Sequence, residues 1–160
     1  MSPQQIRGFP AHLRIALTVG ALAFLGLLPA SADEMLDLDE YQGNVIVVDF
    51  WASWCVPCRR SFPWLNSMHA RYAENGLVII GVNLDASTQD AAAFLEDYPA
   101  AFRIYYDTNA DLAKDFDVQA MPSSFVLGRD GEIVARHLGF KVKRQQEYEA
   151  ILVEALGAGQ

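Results

Sequence analysis

Cysteine is scarce in this sequence, whose 160 residues contain only Cys55 and Cys58. A disulfide between them would close a very small ring. Such a ring removes little conformational entropy from the unfolded chain, so a purely structural disulfide is a poor explanation for the pair. Histidine is also rare, and neither His69 nor His137 lies at zinc-finger spacing from the cysteines. We therefore expect no bound metal.

Acidic residues are absent from the first 32 residues, which carry two arginines and then an apolar run over residues 15–28. The small residues Ala30-Ser31-Ala32 follow. This order is typical of a secretory signal peptide, and the run is shorter than the roughly 20 residues that a membrane-spanning helix needs. We expect residues 1–32 to be a signal peptide cleaved after Ala32. An uncleaved membrane anchor is the alternative.

Basic residues are in the minority in the remaining domain, residues 33–160, which has 10 lysines and arginines against 20 acids. Its formal net charge is therefore −10. Binding to a nucleic-acid backbone requires clustered basic residues, so this class of partner is excluded. The domain is long enough to bury its own core. We expect a monomer in the periplasm that does not contact the membrane once the leader is removed.

Buried strands and amphipathic helices alternate along this domain. Residues 45–51 and 77–82 are nearly unbroken apolar runs rich in β-branched residues, typical of strands buried on both faces. Helical periodicity and capping residues predict four helices, over residues 55–75, 87–98, 110–116 and 144–156. Shorter strands are predicted over residues 102–106, 123–127 and 132–137, and the last two form a hairpin. The order β-α-β-α-β-α-β-β-α predicts an α/β fold with an antiparallel end to its sheet.

The cysteine pair lies where the first predicted strand gives way to the first helix. A helix start presents unpaired N–H groups and partial positive charge, which lower the pKa of a thiol such as Cys55. A thiolate is the species that attacks a disulfide, and Cys58 lies one turn further on, close enough to resolve the mixed disulfide. Pro57 stiffens the turn between them. This context favours redox chemistry over the alternatives, a metal half-site or two inert thiols.

Asp49 is the one polar residue in the first predicted strand. Burial raises the pKa of a carboxyl group, so Asp49 would be able to accept a proton near neutral pH. We expect it to take the proton of Cys58, directly or through water, when the mixed disulfide is resolved. The alternative is an aspartate at the strand end that simply meets solvent.

The segment from Asp49 to Cys58, Asp-Phe-Trp-Ala-Ser-Trp-Cys-Val-Pro-Cys, closely resembles the active-site segment of thioredoxins. Met121-Pro122 resembles the cis-proline element of that family, and Gly139 matches the glycine that borders its site. The resemblance covers nearly all of residues 40–156. It implies the thioredoxin fold, a central mixed sheet flanked by helices, with Cys55 as nucleophile, Cys58 as resolving thiol and Asp49 as buried proton carrier.

The same resemblance implies where a substrate binds. A cis peptide bond before Pro122 would let the Met121 backbone pair with a strand of the substrate. No cofactor is expected besides the Cys55–Cys58 disulfide itself. The residues expected to contact the substrate are Trp54, Val56, Pro57, Met121 and Pro122.

An additional helix and strand, about residues 87–106, resemble the central insert of the TlpA/ResA-like family. Members are exported thioredoxin-like proteins, usually reductases in cytochrome c maturation or copper-site assembly. Two positions depart from many relatives, since Ser61 replaces a glutamate and Asp49 an asparagine. With these two residues, the set of acidic residues resembles that of cytosolic thioredoxin more than that of these relatives.

The resemblance implies a periplasmic thiol–disulfide oxidoreductase that reduces specific protein disulfides and is itself regenerated by a membrane thiol reductase. The nearest alternative is a disulfide donor, which runs the same chemistry in reverse. A copper- or zinc-binding chaperone that uses the two sulfurs as soft ligands is an alternative from another class. A redox-inert binding module of the same fold is the third.

Overall fold

The computed structural model describes residues 36–158, whose centre is a five-stranded sheet of order β3-β2-β1-β4-β5. Strands β1, β2 and β3 are parallel, whereas β4 is antiparallel to β1 and β5 is antiparallel to β4. The strands are Val45–Trp51 (β1), Leu77–Asn83 (β2), Arg103–Tyr106 (β3), Ser123–Leu127 (β4) and Ile133–Leu138 (β5). The helices are Cys58–Tyr72 (α1), Thr88–Asp97 (α2), Asp111–Asp115 (α3) and Gln145–Gly157 (α4). The α/β thioredoxin-like fold with an antiparallel end is confirmed.

Strand β1 is the centre of the sheet, and all seven of its residues are buried. Its β-branched side chains suit a strand that is covered on both faces. It pairs with β2 on one side and with β4 on the other. The carboxyl end of β1, from which the chain passes into α1, is therefore held from both sides.

The two faces of the sheet carry separate hydrophobic cores. Trp51 packs with Phe62 of α1 and Phe94 of α2 on one face, and Leu152 of α4 joins the same cluster. The other face holds Phe50, Phe116 and Phe125, which pack ring against ring. Since side chains alternate along a strand, the odd-numbered residues of β1 face α1 and the even-numbered ones face α3.

The predicted insert is present as α2 and β3, which lie between β2 and α3. Strand β3 pairs in parallel with β2 and forms one edge of the sheet. Ser87 caps α2, because its side-chain oxygen accepts a hydrogen bond from the Gln89 N–H. The added elements therefore extend the sheet at the edge away from the hairpin.

The first helix begins later than the sequence predicts. Residues 52–57 form turns rather than helix, and α1 starts at Cys58 with Pro57 as its N-cap. At its other end the helix tightens into a 3₁₀ turn, Ala73–Asn75. The early start was wrong because two successive turns, closed by hydrogen bonds from Cys55 N–H to Ala52 O and from Cys58 N–H to Cys55 O, precede the helix.

The predicted signal peptide, residues 1–32, lies outside the described residues. Within residues 36–158, no helix combines the length and apolar character needed to cross a membrane.

Candidate active site

Cys55 and Cys58 lie at the carboxyl end of β1 and are joined by a disulfide with a sulfur–sulfur distance of 2.00 Å. Cys58 is the first residue of α1, whereas Cys55 lies in the turn just before the helix. The pair therefore occupies the amino end of a 15-residue helix. Partial positive charge at that end stabilises a thiolate on a nearby sulfur.

The two cysteines differ in their access to solvent. Cys58 is completely buried, whereas Cys55 keeps 3% of its surface exposed. The flanking side chains project outward, with Trp54 66% and Val56 56% exposed. Cys55 is therefore the more accessible of the two cysteines, and its sequence neighbours Trp54 and Val56 are available to a partner molecule.

The turn before Cys55 is held by Asp85, which was not among the predicted site residues. The buried carboxylate of Asp85, just after β2, accepts hydrogen bonds from the backbone and the hydroxyl of Ser53. The Asn83 side-chain amide donates to the same carboxylate at 2.8 Å. Polar residues at the carboxyl end of a parallel strand are often functional. The alternating polar residues Asn83 and Asp85 could therefore have been predicted as site residues from the sequence.

Asp49 lies on the β1 face that packs against α1, and it is fully buried. Its Oδ1 atom accepts a hydrogen bond of 2.5 Å from the Ser124 hydroxyl, while Oδ2 has no hydrogen-bond partner. Burial raises the pKa of Asp49 to about 7, and the Ser124 hydrogen bond opposes part of that rise. The alternative of a solvent-facing aspartate is excluded. A carboxyl group in this state exchanges its proton near neutral pH.

The Met121–Pro122 peptide bond is cis, as predicted. Ser123, the next residue, pairs with Phe50 of β1, so Pro122 lies beside the end of the strand that leads to the cysteines. Met121 packs against the cluster that contains both cysteines. Gly139 N–H donates to Pro122 O at 2.8 Å, which places the predicted glycine against the proline.

A groove lies between Trp54 and the segment that runs from α3 to Met121. Its lining is mostly apolar, with Leu84, Ala113 and Val118 along its length. Trp54, which directly precedes Cys55 in the chain, lines one side of this groove. An extended segment of another protein fits a surface of this kind.

Two arginines follow Cys58, and Trp51 ends β1 in the same hydrophobic cluster as both cysteines. Arg59 and Arg60 are exposed, and Arg59 lies over the ring of Tyr98. Trp51 is core, packed between Phe62 and Phe94. Among residues 36–158, no three histidine, cysteine or acidic side chains converge in the way that a metal site requires.

The chain is similar to known proteins over most of its length. The profile of the family described as Redoxin matches residues 18–152. A relative from Bacillus thuringiensis, the thiol-disulfide oxidoreductase ResA, is 28% identical over 112 residues, 70% of this chain and 65% of the relative. The matched region spans 65%, slightly less than two thirds, of the length of these curated relatives.

Solved structures share the fold. A protein from Chlorobium tepidum, described as a thiol:disulfide interchange protein DsbE, is 41% identical with a TM-score of 0.74. The match covers 76% of this chain and 86% of that protein. StoA from Bacillus subtilis is 25% identical with a TM-score of 0.60, over 69% of this chain and 83% of that one.

Proposed function

This chain belongs to the Redoxin family, and from that premise we propose that it is a thiol–disulfide oxidoreductase that reduces disulfides of other proteins. The observation that carries the proposal is the bonded Cys55–Cys58 pair at the amino end of α1, on the same side of the sheet as the buried Asp49. The ResA and DsbE relatives support the same activity class. The sequence resembles the TlpA/ResA-like family, and these relatives agree with that resemblance.

The first step is attack by Cys55. In the reduced protein, the Cys55 thiolate attacks one sulfur of the substrate disulfide, which breaks that bond and releases the other substrate sulfur as a thiolate. The greater exposure of Cys55 supports its assignment as the nucleophile. The residues proposed to contact the substrate are Trp54, Val56, Pro57, Met121 and Pro122, of which Trp54 and Met121 also line the groove.

The second step is resolution by Cys58. Its thiol loses a proton to Asp49, and the resulting thiolate attacks the Cys55 sulfur of the mixed disulfide. The Cys55–Cys58 bond forms, and the second substrate thiolate leaves. The substrate disulfide has gained two electrons, which the protein dithiol has lost. Because the pKa of Asp49 is raised to about 7, its carboxylate can accept the proton near neutral pH.

The cellular setting is also part of the proposal. A signal peptide over residues 1–32 would export residues 33–160 to the periplasm, where a membrane thiol reductase would return the pair to its dithiol form. Its substrates would be specific protein disulfides of cytochrome c maturation or of copper-site assembly. The acidic net charge and the apolar groove support a protein substrate rather than a nucleic acid.

The test is a trapping experiment with Cys58→Ser. The variant should stop at the mixed disulfide, so a substrate protein from a periplasmic extract should stay bound to Cys55 and be released by dithiothreitol. Cys55→Ser, the matched control, should trap nothing. Absence of a dithiothreitol-sensitive adduct, together with failure of the reduced wild-type protein to reduce insulin, would end the proposal.

The reduction potential decides between a reductase and a disulfide donor. A value near about −270 mV, as for thioredoxin, fits a reductase, and a value near about −120 mV, as for DsbA, fits an oxidant. Stoichiometric binding of copper or zinc by the reduced protein, without insulin reduction, would favour the metal chaperone instead.

A further inference from the structure

A row of three polar side chains crosses the sheet on the face that also carries the cysteine pair. Asp49 of β1 is the register partner of Ser124 of β4, and Ser124 is in turn the register partner of His137 of β5. Directly paired residues of antiparallel strands project their side chains to the same face, about 5 Å apart. All three side chains therefore lie on the face that α1 and α4 cover.

Both ends of this row carry a buried polar atom without a hydrogen-bond partner. These atoms are Oδ2 of Asp49 and Nε2 of His137. Buried polar atoms are rarely left unpaired in folded proteins, so two of them on either side of one hydroxyl call for an explanation. The Ser124 hydroxyl already donates to Asp49, and a hydroxyl oxygen can also accept a hydrogen bond.

A small cavity joins Ser124 to His137. Its walls are Val47, Trp64, Val126, Gly139, Phe140, Tyr148 and Leu152. Its volume of about 20 Å³ exceeds the roughly 10–15 Å³ that one water needs on this measure. A water in this cavity would have the Ser124 hydroxyl and His137 Nε2 as polar partners.

His137 connects the interior to the surface. Its side chain is half-buried, and its ring packs on that of Tyr148 at a centroid distance of 4.7 Å. Burial lowers the pKa of His137, a further reduction comes from the Arg144 charge, and the Glu147 charge opposes both. Arg136, the neighbour on β5, lies over the Phe125 ring on the opposite face. A neutral imidazole can accept a proton through Nε2.

We propose that Ser124, a cavity water and His137 form a relay that carries the proton taken up by Asp49 to the protein surface. The relay rests on the proposed function, because Asp49 gains this proton only when Cys58 is deprotonated. The Ser124 hydroxyl, which donates to Oδ1 of Asp49, turns toward the cavity water. Asp49 then passes its proton from Oδ1 to the Ser124 oxygen, the hydroxyl proton passes through the water to Nε2 of His137, and the imidazolium releases a proton to solvent. Asp49 is then ionised again, and no electron has moved. Ser124 and His137 are positioning residues, since neither touches a sulfur.

The test measures release of the second substrate thiol by stopped flow at pH 7. In His137→Ala we expect resolution at least tenfold slower than in the wild type, with recovery of the rate as imidazole is added. The wild-type rate should not depend on imidazole. His69→Ala is the matched control, because His69 is also half-buried with an unpartnered ring nitrogen but lies outside this cavity. It should resolve at the wild-type rate.

Ser124 is tested by Ser124→Ala, with Ser124→Thr restoring the hydroxyl. The alanine variant should resolve the mixed disulfide more slowly than the wild type. It should also have a higher pKa of Asp49, measured by ¹³C NMR of the Asp49 carboxyl carbon. The threonine variant should reverse both effects. His137→Phe keeps an aromatic ring against Tyr148 and so controls for loss of folding. Its resolution of the mixed disulfide should be slow, and imidazole should not raise the rate.

The relay is overturned if His137→Ala and His137→Phe resolve at the wild-type rate. It is equally overturned if both are slow and imidazole restores neither, since the ring would then serve packing alone. A wild-type protein that reduces no disulfide would instead refute the proposed function, and the relay with it.

Discussion

The carboxylate of Asp85 accepts both hydrogen bonds that Ser53 donates, from its backbone N–H at 2.8 Å and from its hydroxyl at 2.9 Å. These two bonds connect the turn before Cys55 to Asp85, which lies two residues beyond the end of β2. Because Asp85 is buried, removing its carboxylate leaves the Ser53 donors and the Asn83 amide without their acceptor.

Asp85→Ala should therefore lower the free energy of unfolding by about 1.5–3 kcal/mol, the range for hydrogen bonds to a charged group. Urea denaturation of the oxidised protein measures the change. Glu96→Ala, at an exposed position of α2, is the control and should shift stability by less than about 0.5 kcal/mol. Equal stability of the two variants would contradict the role given to Asp85.

The raised pKa of Asp49 should make stability depend on pH. Between about pH 4 and pH 7 the folded protein keeps this carboxyl protonated while the unfolded chain has released the proton, so stability falls as pH rises through that window. Asp49→Asn removes this term. The variant should gain on the order of 4 kcal/mol relative to the wild type between pH 4 and pH 8. Urea denaturation at several pH values checks this, and parallel curves would contradict it.

The same substitution should slow one chemical step and spare the other. An amide cannot accept the Cys58 proton, so resolution of the mixed disulfide by Asp49→Asn should be about 100-fold slower, the usual scale of general base catalysis. Attack by Cys55 on a peptide disulfide should keep its wild-type rate and serves as the internal control. Stopped-flow measurement of the two thiols released separates the steps; an unchanged second step would remove Asp49 from the mechanism.

Val56→Ser should weaken substrate binding without affecting stability. Val56 is exposed beside the sulfurs, so its apolar surface is available to a partner and adds little to the core. We expect a KM for a peptide disulfide several-fold higher and a free energy of unfolding within about 0.5 kcal/mol of the wild type. Val153→Ser, at an exposed valine on α4, should leave KM unchanged. A similar KM for both variants would place the substrate elsewhere.

Gly81→Ala should destabilise the protein. A Cβ at Gly81 would lie 3.0 Å from side-chain atoms of Ile104 and Phe102 and 3.2 Å from Nε1 of Trp51. Overpacking of a buried site typically costs about 1–3 kcal/mol. Gly157→Ala, whose Cβ would meet nothing within 4 Å, is the matched control and should be neutral or slightly stabilising. Thermal unfolding of both variants checks the difference.

Much of this fold follows from local patterns in the sequence. The apolar β-branched runs predict β1 and β2, and helical spacing predicts the four helices within a few residues. The burial of Asp49 follows from its apolar neighbours, and the structure confirms that burial. The start of α1 could not be placed because Cys55 and Pro57 suit a turn or a first helical residue equally well.

The sequence by itself determined the elements, the Cys55–Cys58 spacing and the buried acid, because each depends on residues close together in the chain. Only the tertiary structure decided that Asp85 holds Ser53 and that Ser124 lies between Asp49 and His137. The hydrogen bonds from Ser53 to Asp85 and from Ser124 to Asp49 join residues 32 and 75 positions apart. Strand register aligns Asp49, Ser124 and His137 on one face, and a one-residue slip would turn a strand's side chains to the other face.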